Sequence, residues 1–248
     1  MNQLSVDEFK RTWATYAIII VCVLIPTTST AHFFGPLGQV TNALAYMPAA
    51  ALYQPWRLVG GGFVHVGLLH LLFNMLTLWL AGRQLEELLG HWRFLFLWLV
   101  CTTGAYVFDL LLTVYVQTSN LMGVTVGASG GIFALFAVIL VLERRAGADV
   151  GGLAIMILVS MGYSFAVSGI SWQVHLGGLI VGALVGLGIH ASTKAGGQIT
   201  AGVFDYYAVA DQRRQIQARR IRAQYFVLAL TALIEVALWV LMRLTATV

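Results

Sequence analysis

Residues 172–190 read WQVHLGGLIVGALVGLGIH, an apolar run with a histidine near its start and a regular spacing of glycines. The run has about the 20 mostly apolar residues that an α-helix needs to cross a bilayer. At 100° per residue, four positions of the run fall within about 80° of one another. These positions are His175, Gly178, Gly182 and Gly186. The stretch therefore predicts a membrane-spanning helix with a smooth face, against which another helix packs closely beside the imidazole.

The composition of the whole chain favours the same solvent. Of its 248 residues, 59% are hydrophobic and only 10% are charged, whereas a soluble domain carries about 25% charged residues. The 26 glycines are typical of membrane helices that approach one another closely. The net charge of +4 is better explained by membrane topology than by nucleic acid, so no nucleic-acid partner is expected.

Hydropathy predicts seven membrane spans along the chain. They cover residues 14–33, 65–82, 93–116, 126–142, 152–168, 172–190 and 225–242. If the N-terminus is cytoplasmic, all the basic residues except Arg57 and Arg243 lie in inside segments. The positive-inside rule then predicts an N-in, C-out topology. A cleaved signal peptide is the alternative for the first run, but the run is long and its flank is only weakly basic.

The predicted fold class is therefore an all-α polytopic membrane protein. Four segments follow from the span pattern: a short cytoplasmic N-terminus (1–13), a six-span core (14–190), a basic cytoplasmic loop (191–224) and an additional C-terminal transmembrane helix (225–248). Both cysteines, Cys22 and Cys101, lie inside apolar runs, and they indicate neither a disulfide framework nor a metal site. The sequence makes no prediction of oligomeric state.

Polar and ionisable residues inside membrane spans are costly, so each is a candidate for function. The candidates are His65, His70, Asn74, Asp109, Ser129, His175 and Glu235. The topology places Ser129 and His175 each about one turn inside the outer end of its span, at a shared depth of roughly 5–8 Å. His70 and Asn74 share a helical face in the outer half of the second span, and both can donate a hydrogen bond to an oxyanion.

The nucleophile candidate lies in the run Gly127-Ala128-Ser129-Gly130-Gly131. Small neighbours let a substrate backbone approach the serine, and a serine N–H near a helix start can help to bind an oxyanion. Phe133 is four residues further on and is expected to stack on His175. Taken alone, the glycine-serine run also fits ordinary helix packing, and His175 also fits a hydrogen-bonded structural histidine.

Asp109 is a rival as the third member of a Ser-His-Asp triad, although a packing role also explains it. Glu235 lies near the middle of the last span and receives no assignment. A metal site built on the histidines is disfavoured, because no carboxylate or cysteine has ligand spacing with them. No metal and no cofactor are therefore expected.

Over about 56–190 the motifs, in this order and on these spans, resemble the rhomboid family of intramembrane serine proteases. The motifs are Trp56-Arg57, His65, His70-Leu71-Leu72-Phe73-Asn74, Gly82-x-x-x-Glu86-x-x-Leu89-Gly90, Gly127-x-Ser129-Gly130 with Phe133, and His175-x-x-Gly178-x-x-x-Gly182. One departure is Val174, where the family often has alanine. The six-span core followed by a seventh helix is similar to the "6+1" members.

The resemblance implies a Ser129–His175 dyad without a catalytic aspartate, which argues against Asp109. It implies an oxyanion hole formed by His70, Asn74 and the Ser129 backbone. It also implies supporting roles for other residues, namely Trp56, Arg57, His65, Gly127, Gly130, Phe133, Gly178 and Gly182. Substrate is expected to enter laterally near the fifth span, where Gly162, Ser164 and Ser168 fit a loosely packed gate.

The expected function is hydrolysis of peptide bonds in or next to transmembrane segments of single-span or multi-span membrane proteins, within the lipid bilayer. The expected location is the plasma (inner) membrane of a bacterium or archaeon, with the active site towards the extracytoplasmic side. Two alternatives stay open. A rhomboid-like protein that binds membrane clients without cleaving them would lack Ser129 or His175, and a small-solute transporter would show paired halves and polar groups at mid-membrane.

Overall fold

The computed structural model describes residues 11–31, 35–117, 120–193 and 206–246, without the side chains of 206–211. Within these residues the regular structure is helical. The helices are α1 (Trp13–Leu24), α2 (Pro36–Leu44), α3 (Pro48–Ala51), α4 (Trp56–Gly60), α5 (Leu68–Leu89), α6 (His91–Tyr115), α7 (Ser129–Arg145), α8 (Gly151–Ala166), α9 (Trp172–Ser192) and α10 (Tyr206–Thr245).

The seven predicted spans correspond to α1 and α5–α10. In the described part of the chain, three segments are long and apolar enough to cross a membrane by length and composition: α6, α9 and Gln212–Thr245 of α10. Helices α1 and α8 are apolar but shorter. Helix α1 ends at Leu24, well before the predicted limit of 33, because Ile25 precedes Pro26 and adopts an extended conformation, as residues before proline usually do.

The last helix begins much earlier than predicted. Residues 191–224 are predicted as a basic loop, and this prediction is wrong for 206–224, which is helical and continuous with the final span. The physical reason is that 206–224 contains neither glycine nor proline and is rich in alanine, glutamine and arginine, which are good helix formers. Residues 194–205 of the predicted loop lie outside the described residues.

Helices α7 and α9 are in near-contact through their backbones. A Cβ atom added to Gly178 would lie 2.1 Å from the carbonyl oxygen of Gly130, and one added to Gly182 would lie 2.2 Å from that of Ala134. Only hydrogen fits at these positions, so the glycine face of α9 lies directly on α7. This packing brings the start of each helix, and thus Ser129 and His175, to the same end of the bundle.

Residues 35–67, which lead into α5, form a support for that end. Arg57 donates hydrogen bonds to the carbonyl oxygens of Asn42 and Ala45, and Trp56 donates one to that of Ala43. These carbonyls lie at the C-terminus of α2, where the helix itself supplies no partners. Further along the chain, the Thr125 N–H donates to the backbone carbonyl oxygen of Tyr46, and the Gly127 N–H donates to that of Gly61. The first loop therefore holds the chain that leads into α7.

At the other end of α5, a buried carboxylate anchors α1. Glu86 accepts hydrogen bonds from the N–H groups of Ala14 and Thr15 and from the Thr15 hydroxyl. The first N–H groups of α1 have no partner within the helix, and a negative charge is favourable at a helix N-terminus. Glu86 thus acts as a cap supplied by another helix.

Candidate active site

Ser129 is the first residue of α7, so its N–H is among those that the helix leaves without an internal partner. The prediction placed it one turn inside its span, and the structure begins the helix at the serine itself. Two residues earlier, Gly127 has φ +139°, a conformation that residues with a Cβ rarely adopt. A Cβ there would also lie 2.8 Å from His70 Cε1. Both the dihedral angle and the close contact favour glycine at this position.

His175 faces Ser129 across the α7–α9 contact. Its Nε2 lies 2.7 Å from Ser129 Oγ, a normal distance for a hydrogen bond. Phe133 is stacked on the imidazole, with ring centroids 4.3 Å apart and planes inclined by 17°. His175 is buried and Ser129 is half-buried. The arrangement can carry a proton from the hydroxyl to the imidazole.

The second ring nitrogen of His175 contacts a residue to which sequence reasoning gave no role in the chemistry. Ser164 Oγ, on α8, lies 2.7 Å from His175 Nδ1. The same hydroxyl is 2.8 Å from the carbonyl oxygen of Ser160, to which it can donate. The only sequence signal was a polar residue inside an apolar span, because no spacing rule relates residues on two different helices.

His70 and Asn74 stand one turn apart on α5, and the His70 ring lies close to Gly127, two residues before Ser129. The site of a Cβ on Gly127 would lie 3.0 Å from His70 Nε2 and 3.6 Å from Ser129 Oγ. The N–H of Val66 is 3.4 Å from His70 Nδ1, so a neutral ring that accepts this bond carries its hydrogen on Nε2. The Asn74 amide nitrogen donates to the His70 carbonyl oxygen at 2.8 Å, which leaves its second hydrogen for another acceptor.

The other predicted residues contact the loop before Ser129, the end of α2 or the helices that carry the two side chains. His65 stands in the loop before α5, where the N–H of Ala128 is 3.4 Å from its Nε2 and its ring is 5.2 Å from that of His70. Trp56 and Arg57 make their contacts with the end of α2, as described above. Gly130, Gly178 and Gly182 lie in the α7–α9 contact. His65 therefore supports the backbone beside Ser129, and the others support the frame.

Asp109 is engaged elsewhere. Its Oδ2 accepts a hydrogen bond from the Tyr46 hydroxyl at 2.8 Å, while His175 Nδ1 contacts Ser164. Burial, with the Asp109 carboxylate beside it, raises the pKa of Tyr46 well above its usual value, so the phenol stays a neutral donor. Asp109 thus ties α6 to the first loop, as the packing interpretation has it.

Glu235 lies far along α10. It is buried, and among the described residues its Oε1 has no hydrogen-bond partner. It lines a mostly apolar cleft of about 300 Å³ between α10, α6 and α4. Within the same part of the chain, no three histidine, cysteine or acidic side chains are arranged to hold a metal ion.

Residues 53–192, which begin just before α4 and end with α9, match the family model of the Rhomboid domain. This match covers more than half of the 248 residues. The chain belongs to the rhomboid family. With its apolar helices, this rhomboid is a multi-pass membrane protein, and α10 lies beyond the matched domain.

Several named rhomboids are similar to the chain. It is 37% identical over 195 residues to the putative rhomboid protease YdcA of Bacillus subtilis, covering 73% of this chain and 93% of that protein. It is 32% identical over 158 residues to the rhomboid protease GluP of the same organism, covering 60% of this chain but only 29% of GluP. It is 30% identical over 180 residues to the rhomboid protease GlpG of Yersinia enterocolitica, covering 69% of this chain and 60% of that protein.

Proposed function

We propose that this rhomboid is an intramembrane serine endopeptidase that hydrolyses peptide bonds in or next to transmembrane segments of membrane proteins. The observation that carries the proposal is the 2.7 Å contact between His175 Nε2 and Ser129 Oγ at the start of a helix. Family membership and the protease names of the relatives give it further support.

In the proposed reaction, Ser129 Oγ attacks the scissile carbonyl carbon while His175 Nε2 takes its proton. The tetrahedral intermediate collapses as the imidazolium protonates the leaving amine, which gives an acyl-enzyme. Water then attacks the ester with His175 again as base, and the serine is regenerated. No cofactor enters any of these steps.

The negative charge that develops on the substrate oxygen needs donors close to Ser129. The Ser129 N–H stands at a helix N-terminus, where negative charge is favoured. His70 Nε2 lies beside Gly127 and, in the tautomer described above, carries a hydrogen. Asn74 has one amide hydrogen left to donate. Each donor of this kind lowers the activation free energy by about 3 kcal/mol.

The proposed substrates must unwind before they can react. A helical substrate holds its carbonyls in hydrogen bonds to the N–H groups four residues later, so cleavage is favoured near glycine, proline and other weak helix formers. Hydrolysis also requires water, which is absent from the middle of a bilayer. We therefore propose that the reaction occurs near a surface of the plasma membrane, and the predicted N-in topology makes this the extracytoplasmic surface. The proposed arrangement is a six-span core (14–190) followed by an additional helix.

The test is cleavage, by purified protein in detergent, of a single-span substrate with small residues near its outer end. Wild type is compared with Ser129→Ala and His175→Ala, and the folding of each is checked by thermal unfolding. We expect cleavage by wild type and none by either variant. Equal cleavage by all three proteins would show a contaminating protease and would overturn the assignment.

A substrate that wild type does not cleave is the remaining case. A serine-reactive phosphonate probe then replaces the substrate. Labelling of wild type but not of Ser129→Ala would identify an active enzyme with a narrow substrate preference. Absence of labelling in wild type would indicate a protein without protease activity and would sink the proposal.

A further inference from the structure

Ser164 makes a contact with the candidate base that a two-residue mechanism does not use. Its Oγ lies 2.7 Å from His175 Nδ1, and both side chains are more than nine-tenths buried. The other neighbours of the imidazole are the stacked Phe133 ring and the Ser129 hydroxyl on Nε2. No other hydrogen bond to Nδ1 is present among the described residues.

The direction of this hydrogen bond follows from a third atom. The hydroxyl oxygen of Ser164 also lies 2.8 Å from the carbonyl oxygen of Ser160, and a carbonyl oxygen can only accept. The hydroxyl therefore donates its single hydrogen to Ser160 and presents a lone pair to His175. Nδ1 must then carry the ring hydrogen, and the lone pair of the neutral ring is left on Nε2, facing Ser129.

We propose that Ser164 is a positioning residue that fixes His175 in the tautomer able to accept the Ser129 proton. This inference rests on the proposed function. In a Ser-His-Asp triad, the aspartate accepts a hydrogen bond from the histidine N–H that points away from the nucleophile. Here a neutral hydroxyl accepts this hydrogen bond, which avoids the cost of a second charge inside the membrane.

Because Ser164 is on α8, its contact with His175 depends on how α8 packs against the rest of the protein. Only Ile157, Met161 and Ser164 are buried among the 16 residues of α8. Ile157 and Met161 pack with Phe133, the residue that stacks on the imidazole. The same side of α8 therefore contacts the stacking ring and carries the acceptor for His175.

A pair of variants of nearly equal shape isolates the hydroxyl. Ser164→Thr keeps an oxygen that can still bond to the carbonyl four residues earlier, whereas Ser164→Val replaces that oxygen with a methyl group. We expect Ser164→Thr to keep most of the wild-type kcat, and Ser164→Val to lose about tenfold with little change in KM. Equal kcat values for the two variants would overturn the proposal.

The tautomer is measured independently of cleavage. Nitrogen-15 NMR of histidine-labelled protein distinguishes a protonated ring nitrogen from an unprotonated one, and the His175 signals are assigned by their loss in His175→Gln. We expect hydrogen on Nδ1 in wild type and in Ser164→Thr, and a mixture of both tautomers in Ser164→Val. Hydrogen on Nε2 in wild type, or signals unchanged by the valine, would refute the inference.

The two readouts separate this inference from the proposed function. Suppose that wild type cleaves, that Ser129→Ala does not, and that Ser164→Thr and Ser164→Val have equal kcat values. The protease assignment then stands, and the proposed role of Ser164 is rejected. If wild type does not cleave any substrate, the NMR measurement still decides whether Ser164 sets the tautomer.

Discussion

At the scale of single residues, the candidate site depends on close packing and hydrogen bonding at Gly127. Gly127 combines φ +139° with a hydrogen that faces the His70 ring. The backbone at this point is held on both sides, because its N–H donates to Gly61 and its carbonyl accepts from the Tyr106 hydroxyl at 3.0 Å. The backbone that leads into Ser129 is thus held by hydrogen bonds with Gly61 and Tyr106, residues that take no part in the proposed chemistry.

Substitution of Gly127 by alanine is expected to reduce cleavage at least tenfold, because the new methyl group pushes His70 away from the oxyanion. The measurement is kcat/KM on the single-span substrate. Gly147→Ala is the matched control, since Gly147 also has a positive φ (+87°) but would meet no atom within 4 Å. Its backbone strain of about 1–2 kcal/mol should lower stability without lowering activity, and a parallel loss of activity would contradict the explanation.

At the scale of helices, the close contact of α7 with α9 determines whether Ser129 and His175 meet. Along the glycine face of α9 the available space changes with position. A Cβ on Gly182 would lie 2.2 Å from a backbone oxygen of α7, whereas one on Gly186 would lie 3.2 Å from the nearest atom. The helices are tightest near the site and wider towards the opposite end.

The glycine face predicts a graded response to alanine. Gly182→Ala must force the two backbones apart and is expected to destabilise the protein by about 3 kcal/mol, with a large loss of cleavage. Gly186→Ala needs only a small adjustment and should change stability by less than about 1 kcal/mol. Thermal unfolding in detergent and cleavage rates check both. Similar effects of the two substitutions would mean that the contact is looser than described.

At the scale of the whole molecule, orientation in the membrane decides from which side of the bilayer water reaches the site. The distribution of basic residues predicts an N-in, C-out topology. The loop before α7 would then face outward, and the loop between α7 and α8 would face the cytoplasm. Both native cysteines are fully buried, so a new exposed cysteine can report on its own side.

Two single-cysteine additions test the topology in intact cells. Met122→Cys lies in the exposed loop before α7, and we expect a membrane-impermeant maleimide to label it from outside. Ala148 lies in the exposed loop after α7, and the cysteine of Ala148→Cys should be labelled only after the cells are permeabilised. The reverse pattern would place the candidate active site on the cytoplasmic side and would reject the proposed orientation.

Hydropathy was enough to predict the all-helical membrane class, and helical period and topology predicted that Ser129 and His175 lie at a shared depth. Their role as a catalytic dyad came from the resemblance to the rhomboid family and stays a prediction. Hydropathy and helical period belong to windows of sequence, so they need no knowledge of contacts. Helix ends were less accurate, because ends depend on local partners. Pro26 shortened α1, and an uninterrupted run of helix formers extended α10 back to Tyr206.

What the tertiary structure alone decided is which groups from different helices touch. The Ser164 contact with His175, the hydrogen bond of Tyr46 to Asp109, and the support of the Gly127 backbone by the first loop join residues that no sequence period relates. Each joins side chains or backbone groups of elements that lie far apart in the sequence. The distance and rotation of such contacts depend on the whole set of packed side chains, and no single segment of the sequence encodes them.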